Sequence, residues 1–220
     1  MTASPAASRF LEVAPGRVVG WVGRYVAARD GAVTARAVED GLLLTPAEGG
    51  SALLRLLRPD GWASSSGAVD ASAVAAHLAS AASVSVPLLV VAARRGGYGV
   101  AVVRDGRVLA AKVGRRYVQG STAAGGWSQQ RFARRRGNQA DKLARDAGDV
   151  LRGVLAAALP VAPVGVAVAG DRGLVDGVLD ASPAADLPRL GPLEVGEPRR
   201  ADLDELALRV LAVRVTVHDA

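Results

Sequence analysis

The chain has 220 residues, no cysteine, two histidines and a formal net charge of +6, and half of its residues are hydrophobic. That apolar share is too high for a disordered chain, and the length suits one full domain with a smaller companion. The missing thiols exclude disulfides, thiolate metal sites and a cysteine nucleophile; a histidine zinc site or a serine triad would have to draw on His77 or His218.

The start, Met1 to Arg9, is small and polar, with no apolar core behind a basic head, so no signal peptide is expected. From Pro15 to Asp30, Val18, Val19, Val22, Tyr25 and Val26 mark one face of a helix, and Gly31 stops it. Ala32–Val38, Gly41–Thr45 and Ala52–Leu57 read as strands, separated by the turn signals Glu39-Asp40-Gly41 and Glu48-Gly49-Gly50. Residues 1–60 are therefore expected to form a small N-terminal αβββ domain. Residues 61–85, rich in Gly, Ser and Ala, are expected to be a linker with a short helix from Asp70 to Ala81.

Residues 86–220 have a different rhythm. Pro87–Ala93 reads as a buried strand, Gly99–Val103 as a second and Arg107–Val113 as a third, with Asp105-Gly106 a hairpin turn. A loop rich in Gly, Ser, Thr and Ala runs from Arg115 to Trp127. A long helix follows, from about Ser128, its expected N-cap, to Leu159. Leu143, Ala147, Val150, Leu151, Val154 and Ala158 line one of its faces, and Gly137-Asn138 is the place for a kink. Val164–Ala169 is a fourth strand, Leu174–Leu179 a short helix and Leu193–Val195 a short fifth strand. Arg199–Val213 is a closing helix with Leu203, Leu206, Val210 and Val213 inward.

Pro160 and Pro163 break the longest apolar run, Val154 to Gly170, which falls short of the roughly 20 regular apolar residues of a membrane span. A soluble, cytoplasmic protein without a membrane partner is expected. The order βββ-α-β-α-β-α resembles the ribonuclease-H-like layout, a mixed sheet covered by helices, in an α+β or α/β class. An active ribonuclease H needs several carboxylates at strand ends to hold two metal ions. The expected strands carry almost none, and Asp105 and Asp171 lie at turns. The fold is thus expected without that chemistry, with no metal and no cofactor.

Charge is concentrated. Arg104, Arg107, Lys112, Arg115, Arg116, Arg131, Arg134, Arg135, Arg136, Lys142 and Arg145 are opposed between Arg104 and Arg145 only by Asp105 and Asp141. A positive field this dense, flanking a Gly-rich loop on both sides, is the footprint of a nucleic-acid binder. A solvated basic helix face is the plainer alternative.

The segment from Gly125 to Arg136 reads GGWSQQRFARRR. It resembles the loop and helix start of the eukaryotic and archaeal class-1 release factor, whose middle domain carries a Gly-Gly-Gln loop running into a basic R-F-A-R helix. The resemblance is closer to the release-factor-like peptidyl-tRNA hydrolases, including their actinobacterial clade, in which glycine and a glutamine are kept at varied spacing. By element order it covers Pro87 to Val217; by specific residues, only Gly125 to Arg136. It implies hydrolysis of ribosome-bound peptidyl-tRNA at the peptidyl-transferase centre of the large subunit, with Gly125, Gly126 and either Gln129 or Gln130 as catalytic residues. Arg115, Arg116, Trp127, Arg131, Arg134, Arg135, Arg136 and Lys142 would then bind RNA. One departure stands out: Trp127, not glutamine, follows Gly126, and it serves either to stack on a base or to pack the helix start.

Chemistry supports such a loop independently. Glycines allow backbone conformations and close approach that a Cβ forbids, and backbone N–H groups can stabilise the oxyanion of ester hydrolysis. A glutamine amide is no base at neutral pH, but it can orient a water by hydrogen bonds. Two functions remain in view: a peptidyl-tRNA hydrolase acting on stalled ribosomes, or a non-catalytic ribosome- or RNA-binding protein with the same basic surface. Met1 to Ser85 matches no stop-codon-reading motif, and no extended C-terminal domain for a GTPase partner is expected. Both favour rescue over normal termination.

Overall fold

The computed structural model describes residues 8–58, 69–115 and 127–219, apart from the side chains of residues 127–133. The chain divides into two compact units, Met1–Val84 with Arg209–Ala220, and Ser85–Leu208.

The first unit contains β1 (Ser8–Val13), α1 (Val18–Ala27), β2 (Val33–Val38), β3 (Gly41–Pro46), β4 (Ser51–Arg55), α2 (Ala71–Ala82) and the last strand of the chain, β10 (Val213–His218). Its antiparallel sheet runs β1-β10-β4-β3-β2. Period-2 alternation sends Val213, Val215 and Val217 to the same core as Leu42, Leu44 and Leu54. Val18, Val22 and Tyr25 of α1 and Ala75, Leu78 and Ala81 of α2 close that core. Asp70 caps α2 by accepting a hydrogen bond from the Ala73 backbone N–H at 2.6 Å.

The second unit contains β5 (Leu88–Arg94), β6 (Gly97–Arg104), β7 (Arg107–Arg115), α3 (Trp127–Ala157), β8 (Val166–Gly170), α4 (Arg172–Asp180), β9 (Arg189–Leu193) and α5 (Arg200–Arg209), whose last residue belongs to the first unit. The sheet order is β7-β6-β5-β8-β9. β5, β6 and β7 are antiparallel, while β8 runs parallel to β5 and β9 parallel to β8. Asp105 (φ 54°) and Gly106 (φ 71°) take the left-handed conformations that a tight hairpin demands.

Leu89, Val91, Tyr98, Val100 and Val102 share one core with Leu143, Ala147, Leu151 and Val154 of α3 and with Leu174, Val175, Val178 and Leu179 of α4. On the opposite face Leu203 of α5 packs over Gly99. Covered on both sides, β5 and β6 read as nearly continuous apolar runs rather than alternating ones. The expected mixed-sheet unit and small αβ unit are both present.

Four details differ from the sequence expectations. β1 was not anticipated, because most of its side chains are exposed and it lacks clean alternation. The closing helix stops at Arg209, and Val213 begins β10 in the first sheet rather than facing inward from a helix. The short helix assigned to the linker is α2, and it packs into the first core. α3 begins at Trp127, which puts Ser128 inside its first turn instead of at the cap, and it runs unbroken through Gly137-Asn138.

Candidate nucleic-acid interface

The Gly-rich loop lies between β7 and α3, both in the second unit. Gly125, Gly126 and Arg116 fall outside the described residues. Arg115 closes β7, exposed, opposite Gly97 of β6. Trp127, Gln129, Gln130 and Arg131 occupy the first two turns of α3.

α3 spans 31 residues, but only its later part is docked. Among the described side chains, Arg134 to Gln139 stay outside the core, Ala140 packs against it while partly buried, and Leu143 is the first that is fully buried. Trp127 stands sixteen positions ahead of Leu143, which is about 24 Å of helix at 1.5 Å per residue. A stretch as polar as Arg134–Gln139 gains little from packing, so this part of α3 is a basic arm continuous with the docked part.

The docked half is anchored closely. A Cβ on Gly148 would meet the Ala181 carbonyl oxygen at 2.7 Å, and one on Gly177 of α4 would meet the Ala144 Cβ at 3.3 Å. Small residues thus bring α3 and α4 together.

Helical phase sorts the charges of the arm. At 100° per residue, Arg134, Arg135, Lys142 and Arg145 fall on one side, and Arg136 falls on the side of Leu143 and Ala147. Their exposure follows: Arg134, Arg135, Lys142 and Arg145 are exposed, whereas Arg136 is half-buried. Among the described residues the ion pairs of the second unit lie elsewhere, as in Arg152–Asp149, Arg172–Asp176, Arg189–Asp176 and Arg200–Asp204. The stripe is therefore available to phosphates, which Arg and Lys bind as positioning contacts.

Neither carboxylate considered for metal chemistry is at a strand-end cluster. Asp105 sits in the β6–β7 turn, and Asp171 caps α4 by accepting from the Leu174 backbone N–H at 3.1 Å. Among the described residues no three His, Cys, Asp or Glu side chains gather in a metal-ligating group. His77 is exposed on α2, and His218 Nδ1 is 3.1 Å from Ser8 Oγ, both in the first unit. No helix among the described residues is long and apolar enough to cross a membrane.

A mixed sheet followed in sequence by a Gly-rich segment and a basic helix is consistent with a release-factor-like protein. The model of the Actinobacteria/chloroflexi VLRF1 release factor family matches residues 86–216. The chain belongs to that family. No curated protein matches the chain.

Proposed function

We propose that this protein hydrolyses the ester bond of peptidyl-tRNA on the large ribosomal subunit, as a cytoplasmic rescue factor for stalled complexes. The observation that carries this reading is the start of α3: Gln129 and Gln130 lie in its first turn, directly after Gly125 and Gly126 in the sequence, with an exposed basic stripe further along the helix. Family membership supports the same reading. A basic helix suits contact with a narrow RNA-walled cavity, and the glycines that precede it in the sequence allow close backbone approach.

In the reaction, a water oxygen attacks the ester carbonyl carbon and the ester C–O bond breaks. The peptide leaves as a carboxylate, one proton of the water passes to the tRNA ribose oxygen and the other is released to solvent. Gln129 or Gln130 orients the water by accepting a hydrogen bond from it through the amide oxygen. Backbone N–H groups of Gly125 and Gly126 stabilise the oxyanion. The terminal ribose of the tRNA assists the proton, which is why the chain itself needs no acid or base. Arg115, Arg116, Trp127, Arg131, Arg134, Arg135, Arg136 and Lys142 hold rRNA or tRNA.

The test is a release assay on ribosome-bound peptidyl-tRNA, with wild type, Gln129→Ala, Gln130→Ala and the double variant. Absence of release by wild type refutes the hydrolase reading and leaves the RNA-binding one. Release that survives the double variant moves the water-positioning role away from both glutamines. Release that depends on a stop codon overturns the rescue role.

A further inference from the structure

The basic arm is not the only uncompensated positive surface of the second unit. Among the described residues β7 is an edge strand, with β6 on one side and no strand on the other. Along it Arg107, Lys112 and Arg115 are all exposed. At about 3.4 Å per residue they span roughly 27 Å. The free side of an edge strand also carries backbone N–H groups not used by the sheet.

The opposite edge of the same sheet provides an internal comparison. On β9, Arg189 pairs with Asp176 and lies 3.6 Å from Asp180, while the nearby Arg172 is 3.7 Å from Asp176. Arginines at that edge are neutralised by carboxylates of α4. Among the described residues, no ion pair of that kind involves Arg107, Lys112 or Arg115.

The β6–β7 hairpin adds a second observation. Its last rung sets Arg104 directly opposite Arg107, and like charges directly opposite destabilise an antiparallel pair. The Arg104 Nε is buried without a hydrogen-bond partner. An anion bound at this end would relieve both costs.

β7 is also protected against strand pairing. Its register shifts between Val102 and Val103, where Leu109 has no partner on β6 and stands 46% exposed. Bulges and edge charges block strand addition, so an extended peptide fits this edge poorly while a phosphate backbone fits its charge.

We infer that the outer edge of β7 is a second RNA-backbone track, on which Arg107 and Lys112 bind phosphates alongside the α3 arm. The inference rests on the RNA-binding part of the proposed function and assigns that function two residues outside the loop and arm. The track holds RNA without touching the reacting ester. Its loss weakens association and leaves the rate of the bound complex unchanged.

The experiment compares wild type, Arg107→Gln/Lys112→Gln, the charge-keeping Arg107→Lys/Lys112→Arg, and the control Arg172→Gln/Arg200→Gln. Binding to vacant large ribosomal subunits, to free tRNA and to polyglutamate is measured across a salt series, with thermal melts to verify folding. The neutralised pair is expected to lose threefold or more in affinity for large subunits or tRNA, whichever supplies the phosphates. Its log–log salt slope is expected to fall by roughly 1.4 to 1.8, the value for two lost phosphate contacts. The charge-keeping pair and the control are expected to bind as wild type. Unchanged affinity and slope for both RNAs overturn the track while leaving the proposed function intact. Polyglutamate bound as tightly as RNA, and lost in the same variant, overturns it in favour of an acidic peptide. Wild type that binds neither RNA defeats the RNA-binding reading itself.

Discussion

The ring of Tyr98 on β6 occupies the space that a side chain at Gly114 on β7 would need. The two residues are cross-strand partners one rung before Arg115, where the strand gives way to the Gly-rich loop. Tyr98 is 7% exposed and belongs to the core shared with α3 and α4. An aromatic ring covering a glycine on the neighbouring strand is a recurrent way of fixing register. Here it ties the root of the loop to the main core.

Gly114→Ala should therefore displace the Tyr98 ring from its packed position. Overpacking of this kind costs about 1–3 kcal/mol. The expected result is a lower urea midpoint with an unchanged slope, and reduced peptidyl-tRNA release because the loop root moves. A midpoint equal to wild type would mean that the ring yields freely and sets nothing.

Two glycines on α3 should respond to alanine with opposite signs. Gly148 is buried against Ala181 of the segment after α4, with the carbonyl oxygen 2.7 Å from where a Cβ would stand. Alanine there should destabilise the protein by about 1–3 kcal/mol. Gly153, one and a half turns later, is exposed and has nothing within 4 Å of such a Cβ. Alanine at that position should stabilise by about 0.5–1 kcal/mol, because the unfolded chain loses freedom and helix propensity rises. Chemical denaturation of the two single variants checks both signs at once.

Alkaline stability should depend on Tyr25. Its hydroxyl is buried without a hydrogen-bond partner, and burial is the main cause raising its pKa above 10.0, against the opposing charge of Arg29. The Arg29 guanidinium carbon lies 3.8 Å from the ring centre. Because the folded pKa is above the unfolded one, the unfolded state releases the proton first as pH rises. The associated stability is fully present below pH 10.0 and is lost as pH climbs through the folded value. Tyr25→Phe should remove this alkaline loss. At neutral pH it should leave stability equal or raise it by up to about 1 kcal/mol, since it deletes an unsatisfied buried group. Melting temperatures from neutral pH to above pH 10 distinguish the two proteins.

The sequence made the second unit readable where periodicity was strong. The 3–4 spacing from Leu143 to Ala158 gave the docked half of α3, and Asp105-Gly106 gave the hairpin. The same spacing misled at the end of the chain. Val210 and Val213 stand three apart, as on a helix face, yet Val213, Val215 and Val217 alternate with Arg214, Thr216 and His218, which is the strand signal. That strand completes a sheet whose other members lie more than 150 residues earlier, a pairing that local pattern does not contain. The basic segment was legible too: no residue of the expected apolar face precedes Leu143, although in the structure Ala140 also packs against the core. Which part of α3 is docked needed the position of the core to become clear.

The arm and the glutamines should separate kinetically. Arg134→Ala/Arg135→Ala removes two exposed charges from the stripe and should weaken ribosome association, with a salt slope lowered by roughly 1.4 to 1.8. If these contacts hold ground state and transition state alike, KM rises while kcat stays near wild type. Gln129→Ala/Gln130→Ala should do the reverse. Water positioning is needed only as the ester is attacked, so kcat should fall on the order of 100-fold with little change in binding. Single-turnover release on saturating and limiting ribosome complexes resolves the two parameters. Arginine variants that lower kcat, with binding intact, would place the stripe in the chemistry rather than behind it.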